Sequence, residues 1–155
     1  MHPGSLFWRT TAILSCILFC LFLNSIPLRA QQAPPITYQR YDTAITLQAD
    51  GTFLVREIQQ IRFDGAFHTA YAEIPRTLTT GIEDIQILEG DQAYTRDGAG
   101  PGSFTAEVGA DSVIINWEYT MTKPGDVRTF TLAYKVKGGL WVYPQGDILE
   151  WRAVP

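Results

Sequence analysis

Arg128-Thr129-Phe130-Thr131-Leu132-Ala133-Tyr134-Lys135-Val136 is the clearest alternating stretch of the chain. Phe130, Leu132, Tyr134 and Val136 fall on one side, while Thr129, Thr131, Lys135 and Lys137 fall on the other. In an extended chain successive side chains point to opposite faces, so this stretch reads as a half-buried β-strand. The pattern recurs upstream. Val113, Ile115, Trp117 and Tyr119 alternate with Ser112, Asn116, Glu118 and Thr120, and only Ile114 interrupts the polar side. No segment after residue 31 keeps an apolar period of 3.6 residues, which an amphipathic helix would require.

Turn chemistry agrees with strands. Asp50-Gly51 separates a strand around Tyr41–Leu47 from one around Phe53–Phe63, and glycine accepts the positive φ of a hairpin turn. Pro124-Gly125 has the order of a type II turn, with proline fixing φ and glycine taking the left-handed position. Shorter strands are expected at Ile82–Leu88, Phe104–Val108, Leu140–Tyr143 and Ile148–Ala153, with a surface loop at Gly98–Gly102. Seven or eight such strands predict an all-β, antiparallel β-sandwich over residues 36–155, for which an immunoglobulin-like arrangement is one form. Asp50, Gly51, Trp117, Tyr134 and Trp151 are the structural positions of that reading. The chain stops on Trp151-Arg152-Ala153-Val154-Pro155, an apolar, strand-like run, which predicts a domain that continues past Pro155.

The N-terminus reads differently. Arg9 precedes the apolar run Ala12–Leu23, then come the helix-weakening Asn24, Ser25 and Pro27, and Ala30 stands at a plausible cleavage point. This is the layout of a secretory signal over residues 1–30, with an uncleaved N-terminal anchor as the alternative. The run is shorter than the ~20 apolar residues of a spanning helix. Cys16 and Cys20 lie inside it and read as apolar filler. Residues 31–35 form a short linker. The mature chain would hold no cysteine, hence no disulfide and no thiolate site.

Charge narrows the function classes. Removing Arg9 and Arg29 with the signal leaves ten of the twelve Lys and Arg against sixteen Asp and Glu, a net charge of −6. Nucleic-acid binding needs clustered positive charge, so no nucleic-acid partner is expected. His68 has no second His, Cys or suitably spaced carboxylate nearby, so no metal site is expected. No nucleophile signature is present, and neither an enzymatic activity nor a cofactor is expected.

Three groups remain as candidates. Glu57 shares strand parity with Phe53, Val55, Ile61 and Phe63, so it points toward the apolar face unless a bulge near Gln59-Gln60 turns it outward. A buried carboxylate needs a partner, and Arg76, Arg62 or a tyrosine hydroxyl are available. Trp141 and Tyr143 share one side of a short strand and form a ligand-binding face if exposed. Glu118 and Glu150 are further carboxylates; a glycosidase would need two held across a sugar. Asp91, Asp97 and Asp111 lack the spacing of a calcium loop.

Several short motifs, in order, resemble one family: Asp50-Gly51, Val55-Arg56-Glu57, Phe63-Asp64-Gly65-Ala66-Phe67 and Glu73-Ile74-Pro75 in the first half. Ile115-Asn116-Trp117, the run Arg128–Tyr134, and Asp147-Ile148-Leu149-Glu150-Trp151 follow in the second. Together they resemble the N-terminal part of the bacterial predicted membrane proteins of the DUF2207 family, over Ile36–Trp151. The resemblance implies a signal peptide, an extracytoplasmic β-rich domain, then transmembrane helices and often a Gly- or Ser-rich tail. It carries no activity. Two features depart from it. Glu73 stands where an arginine is often found, and no transmembrane helix follows residue 151. The expectation is thus an exported, non-catalytic envelope interaction or sensing module, attached to the membrane through later helices or the N-terminal segment. Its partner would be an envelope protein or a glycan. The alternative is a carbohydrate-binding module or carbohydrate-active enzyme using Glu57 and Glu118 or the Trp141–Tyr143 face.

Overall fold

Phe53, Val55, Ile61 and Phe63 sit on one side of a strand, β2 (Phe53–Phe63), and all four are buried. The computed structural model describes residues 35–151; the signal reading, Cys16, Cys20 and all of the linker except Pro35 lie outside the described residues. Around β2 the described chain forms β1 (Ile36–Leu47), β3 (Thr69–Pro75), β4 (Gly81–Glu89), β5 (Gln92–Ala93), β6 (Thr95–Arg96), β7 (Ser103–Val108), β8 (Ser112–Glu118), β9 (Asp126–Lys137), β10 (Leu140–Trp141) and β11 (Ile148–Leu149).

These strands make a five-stranded sheet in the order β1-β2-β9-β4-β5 and a four-stranded sheet in the order β3-β8-β7-β6, with β10-β11 as a separate hairpin. All pairs are antiparallel except β6-β7. The inner stripes meet in one core. Phe130 of the first sheet lies 5.8 Å, centroid to centroid, from Trp117 of the second, and Tyr119 lies 5.1 Å from Phe130. Burying two alternating faces against each other is what removes their apolar area from water. The all-β sandwich expected from the alternation is the architecture found.

The Asp50-Gly51 hairpin joins β1 to β2, with Leu47 opposite Phe53. Its loop spans residues 48–52 rather than two residues, and Asp50 stabilises it by accepting from the backbone N–H and hydroxyl of Thr52. Gly51 has φ +78°, the left-handed conformation that glycine adopts without a Cβ clash. Lys123–Asp126 is the type II turn, closed by Asp126 N–H to the Lys123 carbonyl at 3.1 Å.

Two bulges disturb the alternation. One lies on β1 between Tyr38 and Arg40, not on β2 near Gln59-Gln60. The β2-β9 register therefore runs without interruption and Glu57 keeps its inward parity. The other lies on β4, where Asp84 takes φ +52° and Ile82 and Ile85 both reach the core three residues apart. Within the described residues the expected strands at Leu140–Tyr143 and Ile148–Ala153 form over Leu140–Trp141 and Ile148–Leu149, and Arg152 and Ala153 of the second lie outside the described residues. β3, β5 and β6 are additional to the sequence reading.

Candidate functional site

Among the described residues Glu57 is the one buried carboxylate, at 7% exposure on the inner face. The two strands flanking β2 supply its partners. Tyr41 of β1 stands opposite Gln59, and Tyr134 of β9 stands opposite Val55, so both lie diagonal to Glu57 and reach back to it. The Tyr41 hydroxyl donates to Oε2 at 2.6 Å and the Tyr134 hydroxyl donates to Oε1 at 2.7 Å. Both carboxylate oxygens are thereby occupied by phenol donors. Of the three partner types open in the sequence, tyrosine is the one used. Arg62 pairs with Asp64, and Arg76 donates to the Gly109 carbonyl.

Burial, and then the hydrogen bond to Glu57 and its charge, push the Tyr41 phenol far above the ordinary tyrosine range. Burial, followed by the charge of Glu57, does the same to Tyr134. Both phenols therefore remain donors across neutral pH. Tyr94 and Tyr119 are also shifted upward, chiefly by burial. The sign of the linkage follows. These four groups titrate near pH 10.0 when unfolded and higher when folded, so their stabilisation is intact below about pH 10 and is lost as pH rises above it. Thermal melts between pH ~7 and ~11 should give a flat Tm up to about pH 9 and a steep fall beyond about pH 10. A Tm unchanged at pH ~11 would contradict the arrangement.

A second cluster leaves no signal in the sequence. Arg128 of β9 donates to Glu89 Oε1 at 2.7 Å, and the Tyr94 hydroxyl donates to Glu89 Oε2 at 2.6 Å. Arg128 also donates to the Thr120 hydroxyl and lies over the Tyr119 ring. Arg128 and Glu89 are far apart in sequence, and only the β4-β9 pairing brings them together. The cluster is a satisfied ion pair at a sheet end.

The remaining candidates separate. Glu118 points outward from the second sheet, whereas Glu57 points inward from the first, so the two do not converge across a substrate. Trp117 and Tyr134 are core residues, and Trp151 packs against Phe53 at 5.3 Å and Tyr134 at 6.0 Å. Trp151 and Glu150 also line an open pocket of about 340 Å³ with Pro75, Thr77, Leu78 and Thr79. His68 is exposed and its carbonyl accepts from Tyr119 N–H. Asp91, Asp97 and Asp111 are all exposed. Among the described residues no group of three or more His, Cys, Asp or Glu is placed to hold a metal ion. Trp141 and Tyr143 are each 48% exposed, beside Val142 at 75% and Ile148 at 55%. The face proposed for them is therefore open to solvent, although Tyr143 lies beyond the strand in the connecting turn.

Among the described residues no helix is long and apolar enough to cross a membrane. No curated protein and no solved structure matches the chain. A family model does: the one described as the predicted membrane protein (DUF2207) N-terminal domain matches residues 37–155. That span takes in the described strands except Ile36, the first residue of β1, with both tyrosines on Glu57 and the exposed hairpin, and the chain belongs to the DUF2207 family of predicted membrane proteins, as its N-terminal domain.

Proposed function

We propose that this domain is an extracytoplasmic, non-catalytic interaction module of a membrane protein, and that it meets its partner through the β10-β11 hairpin. The observation that carries this reading is the exposure of Trp141, Val142, Tyr143 and Ile148 together within ten residues. Aromatic side chains held open on a hairpin provide large contact area at low entropic cost, which suits recognition. The buried Glu57 supports the same conclusion from the other side. Each of its oxygens accepts from a phenol and the group is buried, the surroundings of a structural acceptor that cross-links β1, β2 and β9.

The test compares the parent with a Trp141→Ser/Tyr143→Ser variant in the full chain. The variant should keep its melting behaviour, within about 0.5 kcal/mol, because both side chains are half exposed. Recovery of a specific envelope partner by cross-linking should fall about tenfold or more. Equal recovery by both proteins would sink the hairpin as the contact surface. Retention of the parent, but not the variant, on a glycan panel would replace the protein partner with a sugar.

A further inference from the structure

β1 is the outer strand of the five-stranded sheet, and its far edge carries no partner strand in the described chain. Twelve residues long, it contains no proline and no lysine. Long edges of this kind are templates for further pairing, and the features that can blunt one, here the bulge at Gln39 and the charges of Arg40 and Asp42, restrict which strand fits against it. Its inward side carries Ile36, Tyr38, Ile45 and Leu47, all of them exposed. Its outward side carries Arg40 and Asp42, paired with each other in the single chain and solvent-accessible.

We infer that β1 pairs with β1 of a second copy, antiparallel, about a two-fold axis at Tyr41. The register follows from charge and parity. With Tyr41 opposite itself, Arg40 faces Asp42 of the partner subunit, and the symmetric contact repeats on the other side. Opposite charges directly across an antiparallel pair attract. Moving the axis to Asp42 would set two carboxylates face to face, and moving it to Thr43 would leave both charges opposite uncharged residues.

The bulge then fits the same register. Tyr38 and Tyr41 both face inward although they are three residues apart, because Gln39 is the extra residue. In the two-fold ladder Gln39 is again skipped, so Tyr38 meets Thr43 of the partner subunit and Ile36 meets Ile45 of the partner subunit. Inward residues meet inward residues from Ile36 to Ile45, and the exposed Ile36 and Ile45 of the two copies cover each other. The five-stranded sheets of two copies join into one continuous sheet. This inference concerns a different surface from the hairpin and does not depend on it.

Charge variants of the full chain in a mild non-ionic detergent, measured by sedimentation velocity, test the register. Arg40→Glu leaves the centre of β1 wholly acidic, and Asp42→Lys leaves it wholly basic. Each variant alone should dimerise about tenfold or more weakly than the parent, because two attractive cross-strand pairs become repulsive. An equimolar mixture should recover dimer to near the parental level, since each acidic position then faces a basic one. Near-UV circular dichroism confirms that the variants are folded. A monomeric parent overturns the inference, including one whose β1 edge is taken by another polypeptide. Variants that dimerise like the parent, or a mixture that fails to recover, overturn it as well, the former by placing association elsewhere in the chain.

Discussion

Tyr134→Phe should destabilise the domain by about 2–3 kcal/mol, close to the upper range for one hydrogen bond to a charged group. The ring is retained, so core volume barely changes. What is lost is the donor to Glu57 Oε1, held at 2.7 Å in a position where water has little access. The carboxylate is left with only the Tyr41 hydroxyl. Its charge stays buried with half its solvation missing, and that deficit sets the cost.

The informative comparison is the double variant. Glu57→Met alone removes the charge but strands the Tyr134 hydroxyl, which should cost about 1–3 kcal/mol. Combining Glu57→Met with Tyr134→Phe removes donor and acceptor together and leaves an apolar pair of similar shape. The double variant should then be more stable than the sum of the single losses predicts, by about 1.5 kcal/mol or more. The Tyr41 hydroxyl is less of a concern, because its side chain is only half buried and water can reach it. Urea titrations of the four proteins give the coupling directly. Additive losses would mean that the hydroxyl and the carboxylate do not form the unit described.

This cluster also shows how far the sequence could be read. Parity alone placed Glu57 on the inner face, because Phe53, Val55, Ile61 and Phe63 flank it at even spacing. Its partners could not be chosen, since Tyr41 and Tyr134 lie 16 and 77 residues away and become neighbours only through the order β1-β2-β9. β2 is legible at both ends, because Phe53 follows the Asp50-Gly51 turn and Phe63 precedes Asp64-Gly65. β3 leaves no apolar stripe in the sequence, because two of its inner residues, Ala70 and Ala72, are small and Ile74 alone does not make a period. β5 and β6 are two residues long and leave no period to detect. β1 is legible only from Tyr41 onward, because the bulge at Gln39 shifts its parity; the same device sets Ile82 and Ile85 three apart on β4. Bulges hide strands from a test based on alternation, whatever the burial of their side chains.

Trp117→Ala should carry the largest single cost, about 3–5 kcal/mol. Trp117 is 2% exposed on β8, with Ala70 of β3 and Phe104 of β7 as its cross-strand neighbours. The small Ala70 leaves room that the indole fills. Across the sandwich its ring meets Phe130 nearly edge-on, at 62°. Removing it would open a cavity between the sheets and take away one side of the Phe130 contact, while Tyr119 alone remains on the other. A domain of this size has about 5–15 kcal/mol in total, so the variant should unfold at much lower urea. Trp117→Phe should behave differently. The indole Nε1 is buried without a hydrogen-bond partner, so the tryptophan already bears an unsatisfied donor. Phenylalanine loses volume but removes that donor, and the two effects oppose. Its net cost should fall below about 1.5 kcal/mol, the range of tolerated apolar exchanges. Equilibrium unfolding followed by far-UV circular dichroism separates the cases. A loss under about 1 kcal/mol for Trp117→Ala would mean that the two sheets do not close on this residue, and a Trp117→Phe loss as large as the alanine one would mean that the indole N–H finds a partner in solution.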